Sequence, residues 1–181
     1  MSSPASLIRR PALLASFGIA AWLLLCLAGL SGPALAAPKS VAFLGVQFLN
    51  DHEADEPTTD AERARLASIE ALFKSKLEAS RLYTFKSIPA DAAAKIANGA
   101  VIGNCGGCEF DYGAEIGAEL VAWIVVQKVS NLILNLNVYM ADIGAKKMVF
   151  VHSVDIRGNT DESWTRGMTY LVKNYLFADP N

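Results

Sequence analysis

Apolar and polar residues alternate along this chain in blocks that read as a sequence of elements. Ala12 to Leu30 is apolar apart from Ser16 and two glycines, and Arg9-Arg10 precede it. Ser40 to Leu49 (SVAFLGVQFL) is a second apolar run, rich in Val and Phe, which predicts a strand buried on both faces. The polar stretch Asn50 to Asp60, broken by Pro57, predicts a surface loop. At its end Thr59-Asp60-Ala61-Glu62 has the form of a capping box, and Leu66, Ile69, Phe73 and Leu77 follow at helical spacing. Leu82 to Ile88 predicts a second strand, and Pro89 to Ala97 a short helix closed by a left-handed Gly99. Asp111 is placed to cap a further helix from Tyr112 to about Leu120.

Three strands then follow in succession: Trp123 to Val129, Leu132 to Ala141 and Met148 to Ile156. The middle one alternates, with Leu132, Leu134, Leu136, Val138 and Met140 on one face and Asn135, Asn137 and Tyr139 on the other. Ser130-Asn131 and Ile143 to Lys146 are short enough for hairpin turns, so these strands predict an antiparallel meander. Thr160 or Asp161 starts a last helix with Trp164, Met168, Leu171 and Tyr175 as its apolar stripe. The expected fold class is α/β, a mixed five-stranded sheet in the order β-α-β-α-α-β-β-β-α.

The amino-terminal run changes the picture of where the protein works. Gly32-Pro33 break the apolar helix, and Ala34-Leu35-Ala36 puts small residues where signal peptidase needs them. The expectation is a Sec-type signal peptide over residues 1–36, cut between Ala36 and Ala37, and a single periplasmic domain over 37–181. An uncleaved membrane anchor is the alternative, since the run is close to spanning length. Cys26 follows Leu25 and lacks the small residue of a lipobox, and the arginine pair lacks the rest of a twin-arginine pattern. After cleavage no stable membrane insertion is expected. The whole chain has 16 basic and 18 acidic residues, and loss of Arg9 and Arg10 brings the net charge to about −4. Lys146-Lys147 is then the only adjacent basic pair, which sets nucleic acid aside as a partner.

The meander opened by AELVAWIVVQKVSNLIL, the first strand VAFLGVQF and the element order resemble the TolB amino-terminal domains and the related CsgG-like envelope proteins. In that pattern an Asp stands near the end of the hairpin, and Asp142 matches it. The run from Asp111 to Asn131 and the closing DESWTRGMTYLVKNYL are similar to a family of small uncharacterised proteobacterial periplasmic proteins, a domain of unknown function. The resemblance covers most of the chain after residue 36. It implies a fold and an envelope location, and a docking role of the kind such domains serve. No TolB-type propeller follows, so no propeller function is implied.

Candidate chemistry is sparse. Cys105-Gly106-Gly107-Cys108 holds the only cysteines left after cleavage, just before a helix. Three readings compete. An oxidising compartment joins neighbouring cysteines, and a ring this short contributes about 2 kcal/mol on the chain-entropy model, enough to pin a loop. A helix amino-terminus also stabilises a thiolate, which is the redox reading. Metal ligation would recruit His52 or His152 beside the two sulfurs. The structural bridge leads, because VIGN before Cys105 is not the buried strand of a thioredoxin-like site. His152 alternates with Met148, Phe150, Val154 and Ile156, as a sheet histidine at a core margin would. In the acidic loop, Asp51, Glu53, Asp55, Thr59 and Glu62 fall at EF-hand-like spacing, but Glu56 stands where the hinge glycine belongs and Pro57 follows. No serine triad, phosphate loop or dinucleotide fingerprint occurs. The sequence calls for no cofactor. Its weight falls on a non-enzymatic binding or docking module with an envelope protein as partner, acting through a strand edge, the Asn50–Thr59 and Gly103–Cys108 loops, or the amides of Asn131, Asn135 and Asn137. A thiol-redox or metal-handling protein is the alternative.

Overall fold

The computed structural model describes residues 37–178; the expected signal peptide, residues 1–36, lies outside them, and Ala37 is the first described residue. The described chain runs β1 (Lys39–Asn50), α1 (Asp60–Ala79), β2 (Tyr83–Phe85), α2 (Ala90–Asn98), α3 (Cys108–Ile116), β3 (Leu120–Lys128), β4 (Ile133–Asp142), β5 (Lys147–Arg157) and α4 (Asp161–Leu171), with a π-helical turn Val172–Leu176. The five strands form one mixed sheet in the order β2-β1-β3-β4-β5. β1 is parallel to both β2 and β3, and β3, β4 and β5 are the antiparallel meander.

β1 is a central strand because Val41, Ala42, Phe43 and Leu44 are buried in succession, with helices above and below. Its pairing with β3 slips between Phe43 and Val46, where Gly45 has φ +106°, a conformation that costs glycine little. The extra residue reverses the parity of the strand. Val41 and Phe43 before it, and Val46 and Phe48 after it, all reach the larger core, while Gln47 and Leu49 turn to the opposite face.

That larger core lies under α1 and α4. Ile69, Phe73 and Leu77 of α1 and Trp164, Met168 and Leu171 of α4 pack on Ile124, Val126, Leu134, Leu136 and Val138. The capping box at Thr59 and Glu62 is formed in both directions, and Thr160 caps α4 by accepting from the Ser163 amide. On the other face α2 and α3 cover only Ala42, Leu44, Val121, Trp123 and Ala141, with Ile102 from their loop. α3 comes close because it carries Gly113: a Cβ there would lie 3.2 Å from Val121 Cβ and closer still to Ile143.

Several expected boundaries move. β2 is three residues long rather than seven, since only Tyr83 and Phe85 reach the core before the polar Lys86-Ser87 and Pro89. α3 begins at Cys108, four residues ahead of the expected start, so Asp111 lies in its first turn and caps nothing; Gly117, left-handed at φ +73°, ends it, and Leu120 belongs to β3. Gly99 is extended, with φ −83° and ψ −171°, rather than left-handed. It is required for space, because a Cβ would meet the Tyr112 hydroxyl and the Lys95 carbonyl. Leu132 stands in the β3–β4 turn, 74% exposed, outside the buried row Leu134, Leu136, Val138 and Met140. Tyr175 is on the π-helical turn and exposed.

Candidate functional site

Three places hold polar or reactive groups in an arrangement the fold enforces. The first is at the carboxyl ends of β1 and β3. β1 leads to β2 through α1 on one face, whereas β2 returns to β3 through α2 and α3 on the other, so the crevice beyond β1 and β3 is a topological switch point, the usual ligand position in open α/β sheets. Here the protein's own side chains fill it. Lys128 lies on the same side of β3 as Ile124 and Val126, and its Nζ sits 2.9 Å from Glu62 Oε1, both side chains being at most 3% exposed. Glu62 Oε1 also accepts from Asn159 Nδ2 at 2.7 Å, and Oε2 accepts from the Thr59 amide and hydroxyl at 2.8 Å each. Asn159 Oδ1 accepts from Trp164 Nε1 at 3.0 Å and from Arg65 at 3.2 Å. The partial positive charge of the α1 amino-terminus is thus met by an internal carboxylate.

Burial pushes the Glu62 carboxyl up, but the Thr59 amide, Lys128, the Thr59 hydroxyl and Asn159 outweigh it and hold it down, from 4.5 to about 2. A carboxyl lowered in the folded state contributes stability that is complete above its unfolded value and lost below it. Glu62 is expected to supply about 3 kcal/mol that is present above about pH 4.5 and disappears as the pH falls towards 2. Urea titrations across that interval check it: the wild-type slope with pH should flatten in Glu62→Gln.

The acidic loop is turned on itself. Glu53 accepts from the Thr58 hydroxyl at 2.6 Å, the Thr58 amide at 3.0 Å and Asn50 Nδ2 at 2.9 Å, and these bonds hold its carboxyl below the usual range. Asp51 accepts from Gln127, and Asp55 faces outward. Among the described residues these three acids form no common ligand cluster.

The second place is the α2–α3 loop. Cys105 and Cys108 are bonded to each other, with Cα atoms 5.5 Å apart and Gly106 and Gly107 left-handed between them. Glu109 lies against the bridge, and the two sulfurs and its carboxylate fall within 4.8 Å of one another. Neither histidine joins them. His52 is in the exposed turn after β1; His152, on β5, is stacked against Tyr175 with ring centroids 4.5 Å apart and touches Phe150.

The third place is the sheet face that α2 and α3 leave open. Trp123 and Tyr139 stack there with centroids 5.1 Å apart, and a groove of about 520 Å³ runs beside them between Val101, Leu49 and Val151. Gln127, Asn135 and Asn137 continue this face by register. Asn131 does not: it sits in the β3–β4 turn and its side chain meets Glu56 and Asn159. The face ends at β5, whose only strand neighbour among the described residues is β4. Val149, at a bulge, and Val151 are each 53% exposed along it.

The fold and these places define a small α/β domain with its parallel-strand crevice closed, one sheet face half open and a long free edge strand. The chain belongs to the DUF3280 family, described as "Protein of unknown function (DUF2380)", whose model matches residues 39–176. No curated protein matches it. Among solved structures it is similar to the LpoB C-terminal domain from Salmonella enterica (12% identity, 70% of this chain and 87% of that one, TM-score 0.44). It is similar also to the PelC dodecamer from Paraburkholderia phytofirmans (18%, 78% and 90%, TM-score 0.47) and the lipoprotein GNA1162 from Neisseria meningitidis (16%, 80% and 100%, TM-score 0.49).

Lys128, Asn159, Glu109 and the Trp123–Tyr139 stack were not singled out by sequence reasoning. Lys128 had a signal, because strand parity puts it on the core face beside Ile124 and Val126, where a cation demands a carboxylate. Glu109 had none, since nothing local distinguishes it from a first-turn surface acid.

Proposed function

We propose that this protein is a docking module of the cell envelope, exported by cleavage between Ala36 and Ala37, that takes an extended segment of a partner protein along β5. The observation that carries the reading is the edge itself. β5 is 11 residues long, pairs on one side only among the described residues, and presents Val149 and Val151 between Lys147 at one end and Asp155 and Arg157 at the other. An added strand would complete main-chain hydrogen bonds, while side chains on the open face would select it. The complementary segment has a β-branched apolar centre with charges of both signs near its ends. Its apolar side chains would continue from Val151 into the groove beside Trp123 and Tyr139.

Other features fit the compartment. A bonded cysteine pair suits an oxidising space, and among the described residues no helix is long and apolar enough to cross a membrane. The sequence resemblance to TolB amino-terminal and CsgG-like domains is a further reason to propose an envelope role. The test is the size of the assembly carrying the protein in gently solubilised envelopes. Val151→Asp should release it to the size of the free protein with an unchanged melting temperature, because the side chain is exposed. An assembly unaffected by Val151→Asp and by Val149→Asp would overturn edge docking.

A further inference from the structure

The Cys105–Cys108 bridge has a neighbour that a purely structural bridge does not need. Glu109 is only 8% exposed, and its Oε2 lies 3.1 Å from Cys105 Sγ. Among the described residues its carboxylate makes no other hydrogen bond. While the sulfurs are bonded to each other, Sγ carries no proton to give, so Glu109 Oε2 faces sulfur with no protein donor, while the residue also lines the open groove beside Trp123. Reduction supplies a donor: the Cys105 thiol then has an acceptor already in place. Closing the bridge therefore costs this protein a hydrogen bond that an isolated bridge would not lose. The second sulfur has the opposite surroundings. Cys108 is the first residue of α3, where free backbone amides and the helix dipole favour a thiolate. Both cysteines are partly exposed, and Gly103, Gly106 and Gly107 around them all hold positive φ.

We propose that Cys105 and Cys108 are a working thiol–disulfide couple, with Cys108 as the attacking thiolate and Glu109 as the base that takes the Cys105 proton. The Cys108 thiolate, its proton already given to solvent, attacks one sulfur of a substrate disulfide. A Cys108–substrate disulfide forms, and the first substrate sulfur leaves as a thiolate that is protonated from solvent. Glu109 then removes the Cys105 proton, Cys105 Sγ attacks Cys108 Sγ, and the second substrate sulfur leaves, taking up the proton held by Glu109. The protein dithiol is oxidised to the bridge and the substrate disulfide is reduced to two thiols; the bridge is returned to the dithiol by exchange with a dithiol donor, which is itself oxidised to a disulfide. Glu109 also lines the groove beside Trp123 and Tyr139, but thiol exchange reads the couple and assembly size reads β5 docking, so the two proposals can fail separately.

The test is oxidation of the reduced protein by glutathione disulfide, quenched in acid and followed by mass spectrometry. The wild type should pass to the internal bridge with little glutathione adduct. Glu109→Gln should accumulate the Cys108–glutathione adduct and resolve it about tenfold or more slowly. Cys105→Ser should stop at the adduct, located on Cys108 by peptide mapping, which keeps the order of attack testable if Glu109→Gln folds poorly. Resolution of Glu109→Gln at the wild-type rate would overturn the role of Glu109. A bridge that excess reduced glutathione never opens in the folded wild type would overturn the couple itself.

Discussion

Lys128→Met is expected to destabilise the protein by about 3–5 kcal/mol, although it replaces a charged side chain by an apolar one of similar length. The loss comes from what remains. Glu62 stays buried with its bonds to Thr59 and Asn159, but the cation that balanced its charge has gone. Glu56 cannot compensate, since it is a second carboxylate, 3.7 Å from Nζ in the native protein. Removing both charges should recover much of the loss, so Lys128→Met with Glu62→Gln is expected to be more stable than Lys128→Met alone. Chemical denaturation near neutral pH measures both. A cost under about 1 kcal/mol for the single variant would mean that water reaches this pair and that it behaves as a surface ion pair.

Trp164→Ala is the second large effect, again about 3–5 kcal/mol. Trp164 is among the largest fully buried side chains, packs against Phe48 with ring centroids 6.0 Å apart, and lies in the core between α4 and the sheet. Its indole also donates to Asn159 Oδ1, which leaves the Asn159 amide nitrogen to face Glu62. The substitution thus opens a cavity and releases a second-layer contact of the buried ion pair. Its cost should therefore be non-additive with that of Asn159→Ala, which denaturation of the double variant would reveal. Full additivity would separate the core from the polar network.

The outline of the fold was legible because the strongest patterns here are tertiary requirements written at a fixed period. β4 alternates because one face rests on α1 and α4 and the other is partly wet, and the Thr59–Glu62 box marks α1 to the residue. What was not legible depends on contacts remote in sequence. The start of α3 is set by two left-handed glycines and a closed cysteine ring, so propensity at Asp111 pointed too late. Gly99 looks like a helix stop and is instead a point of close approach to Tyr112. At the candidate sites the residue types were visible but their convergence was not. His52 and His152 lie apart from the cysteines, whereas Glu109 lies against them and Asn159 crosses 97 residues of sequence to reach Glu62.

Docking along β5 is the claim on which the functional reading depends, and a photo-crosslinking scan of β5 in intact cells tests it most directly. A crosslinkable residue introduced in turn at 151, 153, 152 and 154 should give one heterologous adduct, strong at 151 and 153 on the open face and weak at 152 and 154, which face α4 and the carboxyl-terminal turn. Equal yields at all four positions, or adducts only between copies of this chain, would contradict it.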